Sequence, residues 1–220
     1  MCGVGFSEIG SGPPSDKVKT PMTGPLIALI AKMLTGASAR WVDCQPETCQ
    51  RVYFANHTSH LDSLVIWSAL PGPIRTLTRP VAAKDYWGKT MLRRYVAGHF
   101  NALLIDRKDI KVHQSPVDLL LREIGGVNSL IVFPEGHRST GSQIGAFKSG
   151  LYYLCKKRPD LEAVPVHLDN MNRILPRGEF LPVPLLSCIT FGKPMWLENG
   201  EQKTDFLERA RENLLRLKDI

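Results

Sequence analysis

The chain has 220 residues, 43% of them hydrophobic and 22% charged, with a formal net charge of +7. That size and balance fit one globular domain, about 150 residues being a usual length, and exclude a fibrous repeat, a disordered polymer or a small disulfide scaffold. A chain this long buries roughly 70% of its unfolded surface and needs no metal or disulfide staple to make a core.

Residues 1–20 are rich in Gly, Ser and Pro and read as a flexible N-terminal segment. Residues 21–40 hold a short apolar helix, Thr23 to Leu34, with Leu26, Ile27, Ile30, Met33 and Leu34 along one stripe. It falls short of the roughly 20 apolar residues that span a bilayer but suits a membrane interface. Residues 41–220 are expected to be a single domain. There Val52–Ala55 reads as a strand, His60–Leu70 as a helix stopped by Pro71-Gly72, Val81–Ala83 as a strand and Tyr86–Ala97 as a basic amphipathic helix. Ala102–Ile105 is the next strand. Pro116–Ile124 is a helix, with Ser115 as N-cap, proline first and Gly125-Gly126 after its end. Ser129–Phe133 is a strand, Ser149–Lys157 a helix stopped by Pro159, and Ala163–Leu168 and Leu186–Phe191 are strands. Pro176–Pro184 reads as a loop, and the helix Thr204–Leu217 closes the chain. Uninterrupted apolar strands alternating with helices predict an α/β fold, a mostly parallel central sheet with helices on both faces.

The positive charge is uneven. Arg75 to Arg94 holds six basic residues against Asp85, and Lys148 to Arg158 holds four with no acid. Such patches attract anionic lipid, nucleic acid or a phosphorylated substrate, although a solvated face also accounts for any single run. Five cysteines (Cys2, Cys44, Cys49, Cys155, Cys188) and no basic-then-apolar leader read as reduced thiols in a cytoplasm. Met1-Cys2-Gly3 does not fit a myristoylation start. Cys44-x4-Cys49 lacks the second Cys or His pair of a zinc site.

Four strand ends carry polar residues. Asn56-His57-Thr58-Ser59-His60-Leu61-Asp62 follows the first strand of the domain. Asp62 can return to one ring nitrogen of His57, fix its tautomer and leave the other nitrogen as a base, while the positive helix end disfavours imidazolium. Two other readings stay open from spacing. Ser59-x-x-Asp62 is also a capping box, and His57-x-x-His60-x-Asp62 is a possible metal set, though not the H-E-x-x-H spacing. Phe133-Pro134-Glu135-Gly136-His137-Arg138-Ser139 can offer backbone N–H groups and a guanidinium to a phosphate, or merely hold a surface pair of Glu135 and Arg138. Lys84-Asp85 and Ile105-Asp106-Arg107 end two further strands. In a parallel sheet these ends share one edge and line one pocket, basic groups on a phosphate and histidine beside it. There is no G-x-S-x-G, no G-x-G-x-x-G and no P-loop.

These blocks resemble those of the glycerolipid acyltransferases, typified by bacterial 1-acylglycerol-3-phosphate acyltransferases. The family's N-H-x-S-x-x-D is matched by Asn56 to Asp62, its arginine block by Ile105-Asp106-Arg107, and its F-P-E-G-T-R-S by Phe133 to Ser139 with His137 in place of Thr. Its strand with a central proline is matched by Val164-Pro165-Val166 and its F-K-x-G by Phe147 to Gly150. Lys84 matches the lysine of the family's K-x-E, with the acid displaced to Asp85. The blocks come in the family's order and cover about Val52 to Phe191.

The resemblance implies a glycerol-3-phosphate acyltransferase-like fold and transfer of a fatty acyl group from acyl-CoA or acyl carrier protein to a lysophospholipid hydroxyl, 1-acylglycerol-3-phosphate foremost. It implies His57 and Asp62 as the catalytic pair, and Lys84, Arg107, Glu135, Gly136, Arg138 and Ser139 around the acceptor phosphate, Glu135, Gly136 and Ser139 shaping the loop. Pro165 would form pocket wall. No cofactor and no metal would be needed. The expected partners are the two substrates and an anionic membrane surface, with the chain cytoplasmic and peripheral on the inner face of the membrane. Another acceptor, such as a lyso-ornithine lipid, and a non-enzymatic anionic-lipid binder are the alternatives; nucleic-acid motifs are lacking.

Overall fold

The computed structural model describes residues 26, 29, 38–59, 61–84, 88, 90–99, 101–105, 115–139, 143–169 and 187–220. Among them the chain runs β1 (Ser38–Trp41), β2 (Arg51–Ala55), α1 (Asp62–Ala69), α2 (Gly72–Thr76), β3 (Thr78–Ala83), α3 (Met91–His99), β4 (Leu103–Ile105), α4 (Pro116–Ile124), β5 (Ser129–Val132), α5 (Gly150–Lys157), β6 (Glu162–Leu168), β7 (Cys188–Phe191) and α6 (Lys203–Arg216), with a closing 3-10 turn, Leu217–Asp219.

The strands form one sheet in the order β1-β7-β6-β2-β5-β3-β4. β6, β2, β5, β3 and β4 are mutually parallel, and β1 is parallel to β7. Only the β6–β7 pair is antiparallel among the described strands. The expected mixed α/β architecture with a mostly parallel sheet is therefore the observed one. Strand pleating sorts the apolar runs into two cores. Tyr53, Ala55, Ile131, Val164 and Val166 face α1, where Val65, Ile66 and Ala69 meet them. Val52, Phe54, Leu130 and Ala163 face the other layer, formed by Val117 and Ile124 of α4, Leu151 and Leu154 of α5, and Phe206, Ala210 and Leu214 of α6. Successive side chains of a strand point to opposite faces, so a run buried on both must be apolar throughout, as β2 is after Arg51.

Several boundaries differ from expectation. The domain begins no later than Ser38, because Ser38–Trp41 pairs in register with Cys188–Phe191, and Trp41 stacks on Phe191 with centroids 4.0 Å apart. Pro71-Gly72 ends one helix and starts another, α2, with Pro73 in its first turn, where a missing N–H costs nothing. β3 starts at Thr78 and runs through Pro80, since Thr78–Pro80 pairs only with β5 and Val81–Ala83 with β4. α4 has the predicted bounds, with Ser115 Oγ accepting from Val117 N at 3.3 Å and Gly125 following at φ +51°. Leu26 and Leu29 are helical and exposed. The rest of the apolar helix expected at 23–34, residues 1–20 and the loop Pro176–Pro184 lie outside the described residues. No helix among the described residues is long and apolar enough to cross a membrane.

Candidate active site

Parallel strands put their C-terminal ends on one edge, and ligand sites in α/β folds lie there. β2 and β5 are separated in the chain by two strands but are neighbours in the sheet, with Phe54 beside Val132. The loops that follow them, Asn56 to Leu61 and Phe133 to Ser139, are thereby set side by side. The β2 loop is held at three points. Asn56 is buried, its Oδ1 accepting from Leu168 N at 2.8 Å and its Nδ2 donating to Leu168 O at 3.0 Å, which ties the loop to the end of β6. His57 N donates to Glu135 Oε1 at 3.0 Å, and His57 O accepts from Ser139 N at 2.8 Å. Both peptide groups of the histidine are thus fixed by the β5 loop.

The His57 ring lies over Phe133, centroids 4.1 Å apart, and its Nδ1 is 2.8 Å from Asp62 Oδ2. The same oxygen accepts from Thr58 N at 2.7 Å and Ser59 N at 2.8 Å. Three donors converge on one carboxylate oxygen, so Nδ1 bears hydrogen and the lone pair is on Nε2. The Asp62 side chain is fully buried while that of His57 keeps 19% exposure, so the orienting group is sealed and the ring still reaches solvent. Asp62 Oδ1 is buried without a hydrogen-bond partner among the described residues.

The geometry bears on two of the three readings of this segment. Asp62 bonds the histidine and also caps backbone N–H groups, but the reciprocal half of the capping box is not made: Ser59 Oγ accepts from Leu61 N at 3.3 Å, and the helix N-cap is Leu61. His60 lies outside the described residues, among which no group of three His, Cys, Asp or Glu side chains is arranged for a metal.

Glu135 departs from the surface pair with Arg138 that the segment alone suggests, and its contacts fit the loop-shaping place that the resemblance implies. It is fully buried, with Oε1 on His57 N and Oε2 accepting from Gly145 N at 3.0 Å. It is a brace behind the loop. Gly136 closes the turn, its N–H donating to Phe133 O at 3.0 Å, with φ +72°, a conformation that favours glycine. His137 is exposed, and its Nδ1 lies 2.9 Å from Glu135 O. A carbonyl only accepts, so that nitrogen carries the hydrogen and Nε2 is turned outward. Arg138 is half-buried and makes no hydrogen bond or ion pair among the described residues. Lys84 is exposed at the end of β3, on the same edge. Arg107 lies outside the described residues. Pro165 is inside β6, as the central proline of its block implies, and a Cβ on Gly192 would fall 3.1 Å from its Cγ and 2.9 Å from Leu217, so it packs on the side of the sheet that α6 covers. The brace of Asn56 on Leu168 and the Gly145 N–H on Glu135 carry no signal of such a role in the sequence. Asn56 itself opens the first of the family-like blocks.

A family model described as Acyltransferase matches residues 43–169. Among curated relatives, a 1-acyl-sn-glycerol-3-phosphate acyltransferase of Limnanthes douglasii is 32% identical over 139 residues, 61% of this chain and 47% of that protein. A probable 1-acyl-sn-glycerol-3-phosphate acyltransferase of Mycoplasma pneumoniae is 31% identical over 100 residues, 44% of this chain and 36% of that protein. The matches thus span half or less of the curated relatives' length. Among solved structures, the 1-acyl-sn-glycerophosphate acyltransferase PlsC of Thermotoga maritima superposes with a TM-score of 0.68 over 89% of this chain and 78% of that one. At 16% identity that likeness is one of fold.

Proposed function

The chain belongs to the acyltransferase family, and we propose that it moves a fatty acyl group from an acyl thioester, acyl-CoA or acyl carrier protein, to the free hydroxyl of 1-acylglycerol-3-phosphate, giving phosphatidic acid. The observation that carries this reading is the buried Asp62 carboxylate 2.8 Å from Nδ1 of a solvent-reachable His57. The names of the curated relatives agree with it.

Nε2 of His57 takes the proton of the acceptor hydroxyl as its oxygen attacks the thioester carbonyl carbon. The C–S bond breaks, and the imidazolium returns its proton to the departing sulfur, leaving a free thiol and a neutral histidine. Asp62 holds the ring in the required tautomer and offsets its positive charge during the step. The thioester is already activated, so one base and positioning carry the reaction without an acyl-enzyme. Lys84, Arg107 and Arg138 supply positive charge for the acceptor phosphate. The same reading holds the chain at an anionic membrane surface through the apolar segment 23–34 and the basic runs. Vesicle binding that survives Ile27→Asp with Ile30→Asp would remove that attachment.

The test is thiol release from an acyl-CoA by the purified chain, with and without lysophosphatidate. Acceptor-dependent release that His57→Ala abolishes is expected. Release that persists in His57→Ala would refute the assignment of the base.

A further inference from the structure

We infer that Lys148 is a further ligand of the acceptor's phosphate monoester, laid across Gly136 in the turn that grips His57; this rests on the reaction proposed above. A Cβ built on Gly136 would lie 2.7 Å from Lys148 Nζ and 2.8 Å from its Cδ and Cε. The stem of the lysine therefore crosses the bare Cα of the glycine, a path that any side chain at 136 would block. Its backbone is pinned to the same turn, Lys148 N donating to Pro134 O at 2.8 Å.

The neighbours of that ammonium set its use. Glu135, the residue before Gly136, bonds His57 N, and Ser139 N bonds His57 O, so the turn under Lys148 is the one that positions the base. Arg138 is two residues along the turn. Among the described residues neither Lys148 nor Arg138 has a carboxylate partner. Two cations with no counter-charge among the described residues suit a phosphate monoester, which carries nearly two negative charges at neutral pH, and lysine binds phosphate as a point charge. Acyl-CoA carries a phosphate monoester as well, on its ribose. In 1-acylglycerol-3-phosphate the reacting hydroxyl is on the carbon next to the phosphate-bearing one, so the phosphate must lie within a few bonds of the base. The ribose phosphate is at the far end of the donor from its thioester. The acceptor is therefore the source that fits a cation on this turn.

The variants are Lys148→Met, which keeps an unbranched stem over Gly136 and removes the charge, and Lys148→Arg, which restores it. Steady-state transfer is measured with lysophosphatidate and acyl-CoA varied in turn, alongside Tm and calorimetric binding of glycerol 3-phosphate. Lys148→Met is expected to raise the KM for lysophosphatidate about tenfold, the size of one lost charge-assisted hydrogen bond. The KM for acyl-CoA and Tm stay put, glycerol 3-phosphate binding weakens in parallel, and Lys148→Arg recovers most of the loss. An unchanged KM for lysophosphatidate overturns the inference. So does a rise confined to the KM for acyl-CoA, which moves the ammonium to the donor, or a fall in Tm that accounts for the lost activity. If the wild type binds glycerol 3-phosphate but transfers no acyl group, the reaction fails, and Lys148 stands or falls on that binding difference.

Discussion

Replacing Asp62 by Asn separates the two jobs of this side chain. Oδ2 accepts from His57 Nδ1 at 2.8 Å, Thr58 N at 2.7 Å and Ser59 N at 2.8 Å. An amide in the same place has one accepting oxygen and an NH2 that only donates. If the oxygen stays on Thr58 and Ser59, the cap survives, but its bonds fall from charge-assisted to neutral. That difference is about 1–3 kcal/mol in all, or a drop in Tm of about 3–10 °C for a domain of this size. If the NH2 turns to His57, it imposes the tautomer with hydrogen on Nε2, and the base is lost. In either case no carboxylate offsets the imidazolium. General-base catalysis is worth roughly 10²–10⁴ in rate, so kcat is expected to fall by about that range with KM for both substrates little changed. The assay is steady-state thiol release, paired with a thermal melt of each variant. The double variant His57→Ala with Asp62→Asn is expected to be no slower than His57→Ala alone, because the two groups act as a unit. Retention of kcat within about threefold in Asp62→Asn, with the fall in Tm intact, would reduce the aspartate to a helix cap and refute the dyad.

Three further outcomes follow from named contacts. Glu135→Gln leaves either the Gly145 or the His57 N–H facing an NH2; a stability loss of about 2 kcal/mol and a lowered kcat are expected, read by urea melts and turnover, and a variant as stable and active as the wild type would remove the brace. The hydrogen bond from Arg209, against the opposing effect of burial, holds the Glu201 carboxyl below its ordinary value of 4.5. A depressed folded value gives stability that is present above the unfolded value and lost as pH falls through the folded one. Glu201→Gln is therefore expected to lower Tm at pH 7, with the gap to the wild type closing below pH 4.5; a gap that widens in acid would refute the pairing. Burial pushes the Cys155 thiol up to about 12, so it is expected to resist thiol reagents in the folded chain and to react on unfolding. Rapid labelling of Cys155 in the native protein would contradict its place in the core.

Residues 116–124 show what a sequence determines alone. Ser115, Pro116 and Gly125 act within a turn of the helix they bound, so both ends are local properties. The apolar runs of β2, β5 and β6 are local in the same sense, because burial on both faces demands them in any parallel sheet. The ordered polar blocks placed His57, Asp62 and Arg138 at strand ends before any geometry was known. Tertiary structure decided the remainder. β1 carries no pattern of its own, its side chains being mostly exposed, and it exists because β7 offers a free backbone edge. By spacing Asp62 fits a cap, a dyad or a metal set, and only the folded chain brings His57 Nδ1, Thr58 N and Ser59 N to one of its oxygens. The segment taken alone gives Glu135 as a surface charge, and the neighbouring strands β2 and β5 bury it against His57. Lys148 reaches the site only across the bare Cα of Gly136. Capping and periodicity act over a few residues, whereas burial, strand order and the meeting of charges depend on parts of the chain tens of residues apart, which only the folded sheet brings together.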